Sequence, residues 1–343
     1  MRTNKKIIRG RINTTHIDKH GDQMTPDGLT KAVEYINNPN IKLRYGIDHR
    51  QDFPPKGFMS NAELIHGDGF YAVDADFCEF EKREEAEWDR RLIIESSPTP
   101  FTFIEVKSQP VDGICISTDP HNFNTQEEYQ KYIDNIRKAS DTNIEINESL
   151  RKAELPIPEI TITLTGSVLA YQLLKPTLKS LGEKVADKSS DIAIESSKKI
   201  FEVISTALSE AFYRLIPKTR PVTTIFSYPG EPHIQLIAKT RDSNLILKAL
   251  IGNRISKIFE QIEDLKKHVD IAKVQFILNS KGKWTFNYLL TTDGKSIGTK
   301  KVISERERKH EMMLNDANKA GRPLGVSTGM VVKGAGLSEK VFE

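Results

Sequence analysis

A histidine closing a strand and two nucleophilic side chains on another strand are the raw material of acyl-transfer chemistry. This sequence holds both. Residues 42–58 read KLRYGIDHRQDFPPKGF, a short apolar strand that runs into His49, then two prolines and a Lys-Gly. Residues 111–118 read VDGICIST. Side chains alternate along a strand, so Cys115 and Ser117 point to one face as alternative nucleophiles aimed the same way. A thiol or hydroxyl beside an imidazole is the minimal nucleophile–base pair, provided a third group orients the ring. The plain alternative is a small core cysteine between two isoleucines and a histidine held in a turn.

The remaining histidines, at 16, 20, 66, 121, 233, 268 and 310, offer less. HIDKH at 16–20 spaces two of them at i and i+4, which would share a face on a helix. The pair lies in a strand-to-loop region beside Gly21, so a zinc site is not expected, and no other metal is. HGDG at 66–69 reads as a tight hairpin in which Gly67 and Gly69 supply positive φ and His66 is exposed. No GxxxxGK[ST], and no GxGxxG after a strand, supports a nucleotide, so no cofactor is expected.

Composition narrows the partners. Fifty Lys and Arg against 47 Asp and Glu leave a formal charge of +3, which does not mark a nucleic-acid binder. The basic runs NKKIIRGR and SERERKH lack interleaved aromatics and read as solvated surface. Two cysteines, Cys78 and Cys115, make no disulfide framework and point to a reducing cytoplasm. The N-terminus lacks the apolar core of a signal peptide. The most apolar stretch, ITITLTGSVLAYQLL, falls short of the about 20 residues a membrane span needs and reads as a buried strand and helix. Hydrophobic content of 38% with a mean hydropathy of −0.45 describes a globular protein with a core.

The elements that must position these side chains follow from pattern. KKIIRGRINT is a strand, and MTPDGLTKAVEYINN a helix with Thr25 as N-cap, Pro26 at N1 and Leu29, Val33 and Ile36 on one face. IKLRYGI is the strand leading to His49, and KGFMSNAELIHGDGFYAVDADF is a hairpin. EKREEAEWDRRLIIES is expected to be a charged helix, FTFIEVKS and DGICIST a strand pair, TQEEYQKYIDNIRKAS a polar helix and IPEITITLTG a buried strand. Further on come a long helix up to Pro217, a hairpin over 221–239, one amphipathic helix over 243–268 and a second hairpin over 271–291 turning at Ser280-Lys281-Gly282. The fold class is therefore α+β, with boundaries expected at 1–165, 166–300 (long helix plus ββαββ) and 301–343, the last a charged, Gly-rich tail that is exposed or partner-dependent.

HIDKHGDQMTPDGLTKAVEYI, GIDHRQDFPPKGF and AELIHGDGFYAVDADF, in this order, resemble the prohead (capsid-maturation) proteases of tailed phages, which are related in fold to the herpesvirus assemblins. The likeness rests on Asp18-Lys19-His20-Gly21-Asp22, His49 before Arg50, Pro55-Lys56-Gly57 and Asp68-Gly69-Phe70-Tyr71. It covers roughly 5–80 well and 100–165 loosely. It implies an assemblin-like, mostly-β barrel with peripheral helices over 1–165 and peptide-bond hydrolysis with His49 as general base. The family's nucleophile is a serine in an Asp-Gly-Leu-Ser-Ile-Gly-Phe strand. Here Asp112-Gly113-Ile114-Cys115-Ile116-Ser117-Thr118 puts Cys115 at the serine position and Ser117 at that of the following glycine. The later acidic member has its likeness in PEITITLTG, making Glu159 an orienting residue. The partners implied are proteins: a phage capsid or scaffold protein, or a second copy of the chain in an oligomer. The alternative is a catalytically degenerate module that keeps the fold for binding, assembly or sensing. A third reading is a partner-binding protein without protease ancestry.

Overall fold

The computed structural model describes residues 7–17, 23–48, 50–67, 69–103, 113–139, 144–148, 158–165, 190–251, 253–320 and 327–328. They form a mixed α and β protein. The chain divides into two compact units: 1–106 with 270–272 and 287–343, and 107–269 with 273–286. These units cut the chain at 106/107, whereas pattern alone places a boundary at 165/166.

The first unit opens with β1 (Ile7–Thr14) and α1 (Pro26–Ile36). The Thr25 hydroxyl accepts from the Gly28 amide at 3.1 Å, and Leu29, Ala32 and Ile36 are buried. Then come β2 (Ile41–Lys42), β3 (Arg44–Gly46), β4 (Gly57–Gly67), β5 (Phe70–Glu79), β6 (Lys82–Glu85), β7 (Leu92–Ser96) and β8 (Thr102–Phe103). The β4–β5 hairpin turns where HGDG places it, but only Gly69, at φ +80°, takes positive φ among the described glycines of that turn. A bulge bends β4 at Asn61 (φ +49°). Asn37, capping α1, satisfies the bulged backbone: its amide nitrogen donates to the Ala62 carbonyl and its oxygen accepts from the Ala62 amide, at 2.8 and 2.7 Å.

The charged stretch 81–96 is a hairpin, not a helix: β6 pairs antiparallel with β7. Leu92, Ile93 and Ile94 carry the shape that fits a pleated surface, while all four β6 residues are exposed. Pairing on the sheet outweighs the helix propensity of a Glu- and Arg-rich run.

The second unit holds β9 (Gly113–Thr118), α2 (Gln126–Lys138), β10 (Ile144–Glu148), β11 (Glu159–Thr165), α3 (Ser190–Arg214), β12 (Thr223–Tyr228), β13 (His233–Lys239), α4 (Ser243–Ala249) and α5 (Asn253–Lys266). Most of β14 (Ile271–Leu278) and the first part of β15 (Trp284–Thr291) also belong to it. Its strands run in the order β10-β9-β11-β12-β13-β14. β9/β10, β11/β12 and β13/β14 are parallel, and β9/β11 and β12/β13 antiparallel. Parallel neighbours need a crossover, and the helices α2, α3 and α4–α5 lie in the three crossovers. The expected order of long helix then ββαββ is present. The single helix expected over 243–268 is instead two, Ser243–Ala249 and Asn253–Lys266, and at the end of the first the Trp284 indole N–H donates to the Ala249 carbonyl at 2.8 Å.

The chain then completes the first unit with β16 (Ser296–Thr299), α6 (Lys300–Ala320) and β17 (Ser327–Thr328). β16 pairs with β7 and with Tyr288–Leu290 of β15, and β17 with β3. The stretch from 300 to 320, expected to belong to an exposed or partner-dependent tail, is a helix with Val302, Ile303, Arg306 and His310 buried. Val302 and Ile303 join a core of Leu29, Ile36, Tyr45, Met59, Val73 and Phe77. A second apolar cluster packs Phe101 and Phe103 on Tyr288 and Leu290.

Candidate functional site

His49 lies outside the described residues, but both of its neighbours are fixed. Asp48 takes φ +54°, a conformation that L residues adopt seldom and Asp more readily than most. Its carboxylate meets Lys309 Nζ of α6 at 3.0 Å. Arg50 grips Asp52 through two hydrogen bonds, 2.8 and 2.5 Å, and its guanidinium lies 3.9 Å over the Phe53 ring. Burial opposes the Arg50 charge, but Asp52 outweighs it and the guanidinium pKa is raised.

The prolines that follow are held by α6 and β15. Arg306 Nη1 donates to the Pro55 carbonyl at 2.6 Å, and Asn287 Nδ2 to the Asp52 carbonyl at 2.7 Å. Lys56 Nζ reaches Glu307 at 2.5 Å and Glu79 at 3.3 Å. At Gly57 an added Cβ would run into the backbone carbonyl of Cys78, so the Lys-Gly step is where β4 closes on β5.

Cys115, Ser117 and Glu159 belong to the other unit. Cys115 and Ser117 share a face of β9, Sγ and Oγ 3.8 Å apart. Register places Glu145 and Asn147 of β10 level with them on one side, Thr163 and Thr161 of β11 on the other. The result is a half-buried polar face, whereas Ile114, Ile116, Ile160 and Ile162 on the reverse face are buried. Asn147 Nδ2 donates to Cys115 Sγ at 3.1 Å and to Glu145 Oε1 at 2.9 Å. Two residues beyond Thr161, Glu159 falls on this same face by the period of a strand and is 7% exposed. Its carbonyl accepts from the Thr118 hydroxyl at 2.9 Å.

Beyond β9 stands a pair that pattern reading passed over. Asp119 caps a single turn at 120–122, and its Oδ1 accepts from both the backbone N and Nδ1 of His121, each at 3.0 Å. The signal was the DPH triplet, where an Asp cap and a proline at the first helical position set a histidine two residues on. Nearby, burial and the Glu148 carboxylate both raise the Tyr129 pKa, so its phenol keeps the proton.

Of the other histidines considered at the outset, His16 packs on Phe70 with ring centroids 4.1 Å apart, and His66 stacks on Tyr71 at 4.5 Å. His20 lies outside the described residues. Among the described residues no three His, Cys, Asp or Glu side chains gather as a metal site, and no helix is long and apolar enough to cross a membrane. No family model, curated protein or solved structure matches the chain.

Proposed function

We propose that the chain is a prohead-protease-like peptidase in which Cys115 stands in for the family's serine and attacks a peptide carbonyl of a protein substrate. The observation that carries this reading is the Cys115 environment: a half-buried sulfur with the Asn147 amide donating to it at 3.1 Å. A cysteine used only to fill a core would sit among the isoleucines of the reverse face. A donor aimed at sulfur favours the thiolate, the nucleophilic form. In this reading His49 is the general base, Glu159 the orienting carboxylate and Ser117 the alternative nucleophile. His121 is a second base, already oriented by Asp119. The five-stranded antiparallel sheet of the first unit supports the assemblin-like assignment of the N-terminal part. The partners are phage capsid or scaffold proteins, or a second copy of the chain in a cytoplasmic oligomer, and no cofactor is required.

A thiol-directed peptidyl chloromethyl ketone tests it on wild type and the Cys115→Ala, Ser117→Ala, His49→Ala and His121→Ala variants. The adduct is expected on Cys115, and about 10²-fold slower in whichever histidine variant removes the base. An unlabelled wild type, at both Cys115 and Ser117, would sink the peptidase.

One observation favours the second reading, a catalytically degenerate module that binds phage proteins. β9 is hydrogen-bonded on both edges, by β10 and by β11. An extended substrate therefore has no free edge of the nucleophile's own strand on which to pair. On this reading capsid or scaffold protein co-purifies equally with wild type and Cys115→Ala.

A further inference from the structure

Across β11 to β14 the second unit's sheet carries a row of polar side chains in its interior. Register places Thr163, Ser227, Gln235 and Gln275 level on one face, and Lys273 level with His233. Lys273 is 1% exposed, Gln275 0%, Ser227 7% and Gln235 9%, while the reverse face holds Ile162, Phe226, Leu236 and Phe276. Buried polar groups are costly in a sheet that could have been apolar on both faces, so a row of them calls for a reason. Two of these groups stand in nucleophile–base geometry: Ser227 Oγ lies 2.8 Å from His233 Nε2. That is within the reach a general base needs, and in the Nδ1–H tautomer the hydroxyl donates to the imidazole.

We propose that Ser227 and His233 form a second nucleophile–base pair, which takes up the acyl group of a small ester. His233 is half-buried and adjoins the exposed turn at 229–231, so the approach is from the end of the β12–β13 hairpin. The depth of Ser227 limits the substrate to a short acyl chain. Ser227 Oγ bonds to the ester carbonyl carbon while its proton passes to His233 Nε2. The carbon–oxygen bond to the alcohol then breaks, and the alcohol leaves with that proton. Water attacks the acyl-serine by the same proton path, releasing the acid and restoring the hydroxyl.

The test is a small alkyl fluorophosphonate, which loses fluoride as Oγ bonds to phosphorus, applied to the full chain with the adduct located by peptide mass. A single adduct on Ser227 is expected, absent in Ser227→Ala and formed about 10²-fold more slowly in His233→Asn. Hydrolysis of p-nitrophenyl acetate should fall in parallel. Wild type without an adduct at Ser227 overturns the proposal whatever the variants do, and so does a His233→Asn variant labelled as fast as wild type. Because the adduct is mapped by residue, failure here leaves the Cys115 reading untouched, and the reverse holds.

Discussion

Arg306 has no exposed surface, yet it carries a charge. It forks onto Glu95, 1% exposed, at 2.7 and 2.8 Å, and also touches Glu307 and the Pro55 carbonyl. A buried ion pair gains little over an apolar one, but removing one partner is costly: without Arg306, Glu95 keeps only the half-exposed Arg83 at 2.6 Å, and without Glu95, the Arg306 charge keeps only Glu307. Arg306→Ala and Glu95→Gln are each expected to lose about 3–5 kcal/mol in urea unfolding, and the paired Arg306→Met, Glu95→Leu to recover most of it. Glu307 ties this cluster to pH. Burial opposes its charge, but Arg306 and Lys56 prevail and bring its pKa from 4.5 down to about 2. A carboxylate depressed on folding adds stability that is complete above its unfolded value and lost as pH falls through the folded one. Glu307→Gln should therefore flatten the slope of unfolding free energy between about pH 4.5 and 2, and an unchanged slope would remove Glu307 from the account. None of this was legible in SERERKH. Arg306 and Arg308 look alike in sequence, and what sets Arg306 apart is a glutamate 211 residues away.

At the scale of elements, local signals carried well where local chemistry decides. Thr25 and Pro26 start α1, Thr125 caps α2 with its hydroxyl 3.2 Å from the Glu128 amide, and the Gly-Asp-Gly turn sets the β4–β5 register. They failed where a distant partner decides: β6 and β7 owe their pairing to β16, and β16 follows a Thr-Asp-Gly turn that pattern reading passed over. The Cys115–Ser117 face was legible from the period of two. Asn147 was not, because it arrives from a parallel strand through a crossover. Gly57 marks the same divide. The backbone of Cys78 leaves no room for a Cβ there, whereas Gly67, at the far end of the same strand, has nothing within 4 Å. Gly57→Ala is expected to cost more than about 3 kcal/mol, and Gly67→Ala to stay within about 0.5 kcal/mol, by thermal or urea unfolding. Equal effects would mean that β4 and β5 do not close at Gly57.

At the scale of the molecule, the first unit is discontinuous in sequence, and this sets how the chain can be cut. Its core needs Val302 and Ile303, its buried Glu95 needs Arg306, and Tyr45 meets His310 of α6 at 3.2 Å. All of these arrive from beyond residue 299, so the unit cannot form before nearly the whole chain exists. A fragment ending at 165, the boundary that composition and resemblance favour, would carry Glu95 and Lys56 without Arg306 and Glu307, and the β3–β5 core without one of its walls. Buried charge left to its weaker partners, Arg83 for Glu95 and Glu79 for Lys56, and exposed core surface both oppose folding. Residues 1–165 made alone should give backbone amides in β4 and β5 that exchange at the rates of an unfolded chain. The full chain should protect them, and a chain ending at 299 should resemble the fragment. Protection of Met59 and Phe77 in the fragment, at the level of the full chain, would show that α6 is an accessory to this unit rather than part of its core.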